Sequence, residues 1–258
     1  MLIPKLLLVA ISVLLSTLAA RRFGHGIGGV VAGMPMIAAP IIAILLVDHD
    51  PQDVRRIALA TLACVPATIL HIVTFTVAAR RTRWPAAVSA ALLAYVVAGA
   101  LLTQTPFGPV VISILALAAP MVGLWIAAHR ASPRAPVHVP RIELVLRIAA
   151  AVAMAAAIIL GADSFPAAVS GILLAVPITG TVLPCFTLQR YGPAATASLL
   201  TGFLQGLHGF TAFFLALYWS LAGMTAAAAF GVALAAALAM ALAVQAADAF
   251  YGRPAVRS

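Results

Sequence analysis

Residues 28–35 of the chain read GGVVAGMP, and residues 170–177 read SGILLAVP, 142 positions further on. The same offset, with no gap, aligns Lys5 with Arg147, Phe23 with Phe165, Gly29 with Gly171, Pro35 with Pro177, and Pro51 with Pro193. Alanine-rich apolar segments also align by chance, which is the alternative explanation. Because glycine and proline set helix ends and kinks, their recurrence favours an internal repeat.

The composition places this repeat in a membrane. Of 258 residues, 64% are hydrophobic and 8% are charged, whereas a soluble domain is about 45–50% apolar and about 25% charged. So few charges cannot cover a water-soluble globule, which excludes soluble enzymes, secreted disulfide scaffolds and disordered tails. The sequence therefore predicts an all-α, polytopic integral membrane protein that contacts the lipid bilayer.

Apolar runs bounded by charges, glycine or proline predict about nine transmembrane helices, within a range of about eight to ten. They cover Leu2–Ala20, Ile27–Val47, Ile57–Ala79, Pro85–Thr103, Pro109–Ala128, Ile142–Leu160, Pro166–Leu188, Ala194–Ser220 and Met224–Ala247. Residues 1–104 form a first repeat with spans one to four, residues 105–140 hold span five and a cytoplasmic loop, and residues 141–258 form a second repeat. The first run also fits a secretory signal, and spans two and seven could be re-entrant.

The basic residues predict the orientation of these spans. The links after spans one, three, five and seven, with the C-terminal tail, contain Arg21, Arg22, Arg80, Arg81, Arg83, Arg130, Arg134, Arg141, Arg190, Arg253 and Arg257. The other links contain only Arg55 and Arg56. Cytoplasmic loops carry the positive excess, so we expect a periplasmic N-terminus and a cytoplasmic C-terminus in a bacterial inner membrane. The net charge of +9 is scattered between apolar runs, so we expect no nucleic-acid partner.

The two repeats are predicted to be inverted, because five spans separate them and an odd number reverses the direction of entry. Inverted-topology repeats are typical of secondary transporters, whose sites lie near the midplane where the halves meet. We therefore expect a carrier of a small, anionic or amphipathic organic solute. It would have no cofactor beyond Na⁺ or H⁺ as a coupling ion.

Candidate site residues follow from interruptions and from rare polar groups in the spans. Proline within a span frees carbonyl groups that must face protein or a wet cavity, and nearby hydroxyls could ligate sodium. Each threonine could instead bond to its own helix, and each histidine could be a neutral packing group. The candidate substrate and ion ligands are Pro35, Pro66, Thr68, His71, Pro177, Thr179, Thr181, Gln205 and His208.

The layout of four spans, an unpaired fifth and four more resembles the five-plus-five inverted-repeat superfamily of the bile acid:sodium symporters, without its first helix. That resemblance implies that the broken, crossing helices are spans three and eight, which contain CVPATILH (64–71) and TGFLQGLHG (201–209). Spans two and seven are also interrupted, by GMPMIAAP (33–40) and VPITGTVLP (176–184), which departs from the family pattern.

Two other function classes stay open. An intramembrane enzyme would need paired acids, an HExxH motif or a Cys/His metal spacing, none of which the sequence contains, so we expect no enzymatic activity and no metal site. The acids Asp163, Glu143 and Asp248 are expected at the membrane interface. A non-catalytic membrane subunit would assemble through small-residue faces such as Gly29 and Gly33 or Gly202 and Gly206. These faces indicate helix packing before a homodimer.

Overall fold

The computed structural model describes residues 2–127, 139–162 and 176–251, and in these ranges it contains helices and no β-strand. The helices are α1 (Leu2–Phe23), α2 (His25–Gly33), α3 (Ala38–Asp48), α4 (Pro51–Ala78), α5 (Trp84–Gln104), α6 (Pro109–Ala127), α7 (Arg141–Ala162), α8 (Ile178–Ser220) and α9 (Ala226–Tyr251). The predicted all-α fold is confirmed for this part of the chain.

Seven helical segments of the described chain are long and apolar enough to cross a bilayer. They are Leu6–Phe23, His25–Asp48, Pro51–Ala78, Trp84–Leu102, Pro109–Ala127, Ile178–Ser220 and Ala226–Ala247. The chain is therefore a multi-pass helical membrane protein. Helix α7 covers the predicted sixth span, whereas Asp163 and the first part of the predicted seventh span lie outside the described residues.

Two helices start where the sequence indicates. The carboxylate of Asp50 accepts the amide hydrogen of Gln52 at 2.7 Å, and Pro51 is the first residue of α4; both features are typical of a helix N-terminus. Helix α8 is two helices joined at a kink, because Gly192 has φ +80° and ψ −176°. The second of them restarts at Pro193, the residue that the offset aligns with Pro51.

The core is built around α8. Its membrane-crossing stretch is 72% buried, against 22–39% for the other six. Large side chains in its second part, among them Leu200, Leu204, Phe213 and Leu217, are almost completely buried. Many apolar side chains of the outer helices, such as Leu93, Trp125 and Leu242, are exposed instead. A lipid environment would cover them.

The resemblance implies that spans three and eight are broken. The structure shows no break at Pro66 or at Gly202 and Gly206, so this implication is wrong. Helix α4 runs continuously through Pro66, and residues 193–220 run continuously through Gly202 and Gly206. A proline in a long helix removes one hydrogen bond, and packing on several sides can hold the remaining turns in place. One interruption lies in the second predicted span, between α2 and α3. In the seventh predicted span the described residues begin at Val176, and α8 begins directly after Pro177.

Candidate functional site

The first interruption separates α2 from α3. Pro35 lies in it and has no amide hydrogen, so it cannot extend the hydrogen-bond ladder of α2. The amide of Met36 donates to the carbonyl of Met34 at 2.8 Å, and not to that of Ala32 four residues before it. The Ala32 carbonyl is thus released from its helix and can accept a hydrogen bond from another element.

Pro177 directly precedes α8, and the first turn of α8 meets the break between α2 and α3. The hydroxyl of Thr179 donates to the released carbonyl of Ala32 at 3.3 Å. Both Thr179 and Ala32 are buried. The residues next to Pro35 and Pro177, which the sequence singles out as a matched pair, are therefore in direct contact.

His71 of α4 joins the same cluster. Its ring is fully buried, and its Nε2 lies 3.2 Å from the hydroxyl of Thr181. The same hydroxyl lies 2.9 Å from the carbonyl of Pro177, to which it can donate. Which of His71 and Thr181 donates depends on the tautomer of the ring, and Nδ1 has no hydrogen-bond partner among the described residues. Tyr95 packs edge-on against the ring, with centroids 6.2 Å apart.

Gly180 allows the start of α8 to fit between two other helices. A Cβ on Gly180 would lie 3.0 Å from the ring of Phe203 and 3.1 Å from the end of Ile72. Any larger residue here would press on both neighbours. The cluster therefore combines one released carbonyl, two hydroxyls and one imidazole inside an otherwise apolar wall.

The structure places Pro66 and Thr68 apart from this cluster. The hydroxyl of Thr68 donates to the carbonyl of Cys64 at 3.2 Å, within its own helix. Pro66 lines a small cavity of about 20 Å³ with apolar side chains of α4, α5 and α6. Such a cavity holds about one water molecule and cannot contain an organic solute.

Gln205 and His208 are half-buried on residues 193–220. The face of this helix that packs on α2 carries Gly202 and Gly206, and His208 is two positions beyond Gly206, nearly opposite on a helix. Nδ1 of His208 lies 2.8 Å from the carbonyl of Leu204, in its own helix. The structure shows no contact between His208 and His71.

The glycines of α2 form a seam with the second part of α8. A Cβ on Gly29 would lie 2.8 Å from the backbone nitrogen of Phe203 and closer still to the carbonyl oxygen of Leu199. A Cβ on Gly206 would lie 2.9 Å from the α-carbon of Gly33. The small-residue spacing is thus used for packing inside the chain, as predicted.

Sequence reasoning missed a second polar cluster. Glu143 and Arg147 of α7 are 4% and 1% exposed and form a salt bridge of 2.6 Å, near His25 at the start of α2. The sequence predicts Glu143 at the membrane interface, and it does not predict its burial among protein groups. The four-residue spacing of the two charges was the available signal, because such residues share a helix face.

These features define the class as a multi-pass helical membrane protein in which the break between α2 and α3 contacts the first turn of α8. Residues 2–107 are similar to a family described as "Protein of unknown function (DUF3147)". No curated protein and no solved structure matches the chain.

Proposed function

We propose that the chain is a secondary transporter, and not an enzyme. It moves a small, anionic or amphipathic organic solute across the bacterial inner membrane by alternating access, coupled to Na⁺ or H⁺. The observation that carries the proposal is the hydrogen bond from Thr179 to the carbonyl of Ala32, since it joins the break between α2 and α3 to the start of α8 at Pro177. Contact between broken helices is the arrangement by which transporters build midplane sites.

The helix bounds support an internal repeat. Shifted by 142 positions, Pro51–Ala78 of α4 becomes residues 193–220, which is the second part of α8. The start of α5 at Trp84 becomes residue 226, where α9 starts. The helix bounds of the two halves agree although their sequence identity is low. A fold shared by the two halves explains this agreement.

The family match supports the same division of the chain. Residues 2–107 match one family, and the first predicted repeat ends at residue 104. A unit recognised on its own over this range is consistent with a chain made of two related units.

Contacts between the equivalent helices support an inverted arrangement. Arg55, near the start of α4, donates to the carbonyl of Tyr218, near the end of residues 193–220, at 3.1 Å. Its guanidinium also lies 4.5 Å from the centre of the Tyr218 ring. Further along α4, Ile72 and Phe203 lie side by side against Gly180. The two helices therefore run antiparallel, as the same element does in two units of opposite orientation.

The chemistry at the breaks suits a small solute or its coupling ion. Oxygen atoms of Ala32, Thr179 and Thr181 are ligand types that bind sodium. The amide groups at the start of α8 add partial positive charge, which favours an anionic group. If two similar halves face opposite ways, each can adopt the conformation of the other. This exchange would convert an outward-open state into an inward-open state of similar free energy.

The transport activity can be tested while the solute is still unidentified. Metabolites are compared in cells with and without the chain, and compounds that differ are offered to vesicles containing the purified protein under an imposed Na⁺ or H⁺ gradient. We expect uptake or efflux that depends on one gradient. A protein that moves none of these compounds, nor any of a panel of short mono- and dicarboxylates, under either gradient would refute the proposal.

The variant Thr179→Val tests the contact between the breaks. It removes the hydroxyl that reaches Ala32, and a hydrogen bond of this kind contributes about 1 kcal/mol, so we expect the transport rate to fall about fivefold. Thr76→Val is the matched control, because the hydroxyl of Thr76 is buried but donates to Ile72 in its own helix. Equal losses in both variants, with equal amounts of folded protein, would contradict a role for the contact.

A further inference from the structure

A buried charged network lies at the end of the molecule where α1 ends and α2 and α7 begin. The carboxylate of Glu143 binds Arg147 through its Oε1, at 2.6 and 3.0 Å. Its Oε2 accepts a hydrogen bond from Tyr191 at 3.1 Å and pairs with Arg190 at 3.1 Å. The network thus connects α7 to the residues of α8 directly before the kink at Gly192.

The network carries more positive than negative charge. Arg147 is 1% exposed and its guanidinium also reaches the hydroxyl of Thr187 at 3.4 Å. The side chain of Arg190 is 52% exposed, so its contact with Glu143 is the one that opens most readily to water. One carboxylate therefore balances two guanidinium groups. In addition, Arg21, at the end of α1, donates to the carbonyl of Val139 close by.

His25 is packed against this network and has an unusual environment. It is 7% exposed, and its ring lies 4.9 Å from that of Tyr191, centre to centre. Neither ring nitrogen has a hydrogen-bond partner among the described residues. A buried polar ring without partners is less stable than an apolar ring of similar size. Packing alone would favour phenylalanine here, so the titratable ring indicates a function.

We infer that His25 is a proton-binding switch for a gate formed by Glu143 with Arg190 and Tyr191 at this end of the protein. The inference rests on the proposed transport function and names how one gate is controlled. The charged and titratable groups at this end of α1, α7 and the first part of α8, around His25, are Arg21, Arg22, Arg141, Glu143, Arg147, Arg190 and Tyr191.

The direction of the effect follows from these charges. Binding of H⁺ to the ring adds a second positive charge in excess of the one carboxylate, and this repels Arg147 and Arg190 in the closed form. Water stabilises the charged ring once the gate is open, so His25 binds a proton more readily in the open form. By linkage, a fall in pH then favours the open form. Gly192 allows the backbone of α8 to bend at this point.

A distance measurement tests the switch without any solute. Spin labels are placed at Ile142→Cys and Gln189→Cys, two exposed positions on either side of the gate, in a chain whose two native cysteines are replaced. In lipid nanodiscs we expect the distance to lengthen as the pH falls below about 6.5, the ordinary pKa of histidine. An unchanged distance would overturn the inference, and this result needs no variant of His25.

Variants then identify the residue that responds. His25→Gln, which cannot take up a proton, should keep the short distance at every pH, and His25→Arg should keep the long one. His49→Gln is the control, since His49 is exposed beyond the end of α3 and should leave the pH response intact. A normal response in His25→Gln would overturn the inference. If His25→Gln does not fold, His25→Asn makes the same neutral test.

The outcome is independent of the transport experiment. A gate that ignores pH in a protein that transports would refute this inference alone. A gate that responds to pH in a protein that transports nothing would refute the proposed function alone.

Discussion

Gly29 is one of the residues at which α2 and the second part of α8 approach very closely. The space for its side chain is occupied by the backbone of Leu199 and Phe203. Backbone cannot move aside as a flexible side chain can, so even one added methyl group must separate the helices.

Substitution of Gly29 by alanine tests this packing. Overpacking in a tight core costs about 1–3 kcal/mol, so Gly29→Ala should lower the unfolding temperature measured in detergent. Gly231→Ala is the matched control, because nothing lies within 4 Å of a Cβ at that position of α9. There the substitution should be neutral or slightly stabilising. Equal unfolding temperatures for the two variants would contradict the close packing.

At the scale of residues, the sequence predicts part of the site. The alignment of Pro35 with Pro177 selects the two breaks, and Thr179 and Thr181 follow directly from it. His71 is recognisable as a rare polar residue in a span, but its contact with Thr181 depends on which faces of α4 and α8 meet. The same limit explains why His25 was missed, because its burial against α7 depends on tertiary packing that no local pattern contains.

At the scale of elements, α8 shows how one residue divides a long helix. The predicted spans end at Leu188 and resume at Ala194, and the structure places the kink between them, at Gly192. Apolar runs and prolines predict such ends well, since they depend on local backbone chemistry. The continuous course of α4 through Pro66 was harder to predict, because proline permits either a break or a kink and the neighbouring helices decide between them.

Substitution of Gly192 tests the kink itself. With φ at +80°, an alanine would lie in the left-handed region, at a cost of about 1–2 kcal/mol. Nothing lies within 4 Å of a Cβ here, so a loss of stability reports backbone strain alone. Gly192→Ala should lower the unfolding temperature, because a φ of +80° with a ψ of −176° is essentially restricted to glycine. Gly223→Ala, in an open turn with ordinary φ, should leave the temperature unchanged; a drop as large there would count against strain at Gly192.

At the scale of the whole molecule, the 142-residue offset predicts two inverted units, because an odd number of spans separates the aligned segments. The charges of the loops predict the same orientation. The antiparallel course of α4 and residues 193–220 supports that prediction. Neither the alignment nor the loop charges predict which residues of the two units touch, because those contacts depend on how the helix faces fit together. The family resemblance implied breaks in spans three and eight that the structure does not have, because topology does not specify where a helix unwinds.

Cysteine labelling tests the inverted arrangement directly. Gln52 and Ala194 are equivalent under the offset and both are exposed. In a chain without native cysteines, Gln52→Cys should react with a membrane-impermeant maleimide on intact spheroplasts, and Ala194→Cys only after permeabilisation. The two variants control for each other, since they occupy the same place in their units. Labelling of both from one side would exclude inverted units.

The glycine seam has a consequence for how such a protein could move. Under the proposed division, helix α2 belongs to the first unit and residues 193–220 to the second, yet their main chains touch with no side chains between them. Sliding or tilting at this junction would create steric overlap at once, so these two segments must travel together as one body. In any rocking motion, each of the two moving bodies would then contain helices from both units. The boundary between the moving bodies would not coincide with the boundary between the units.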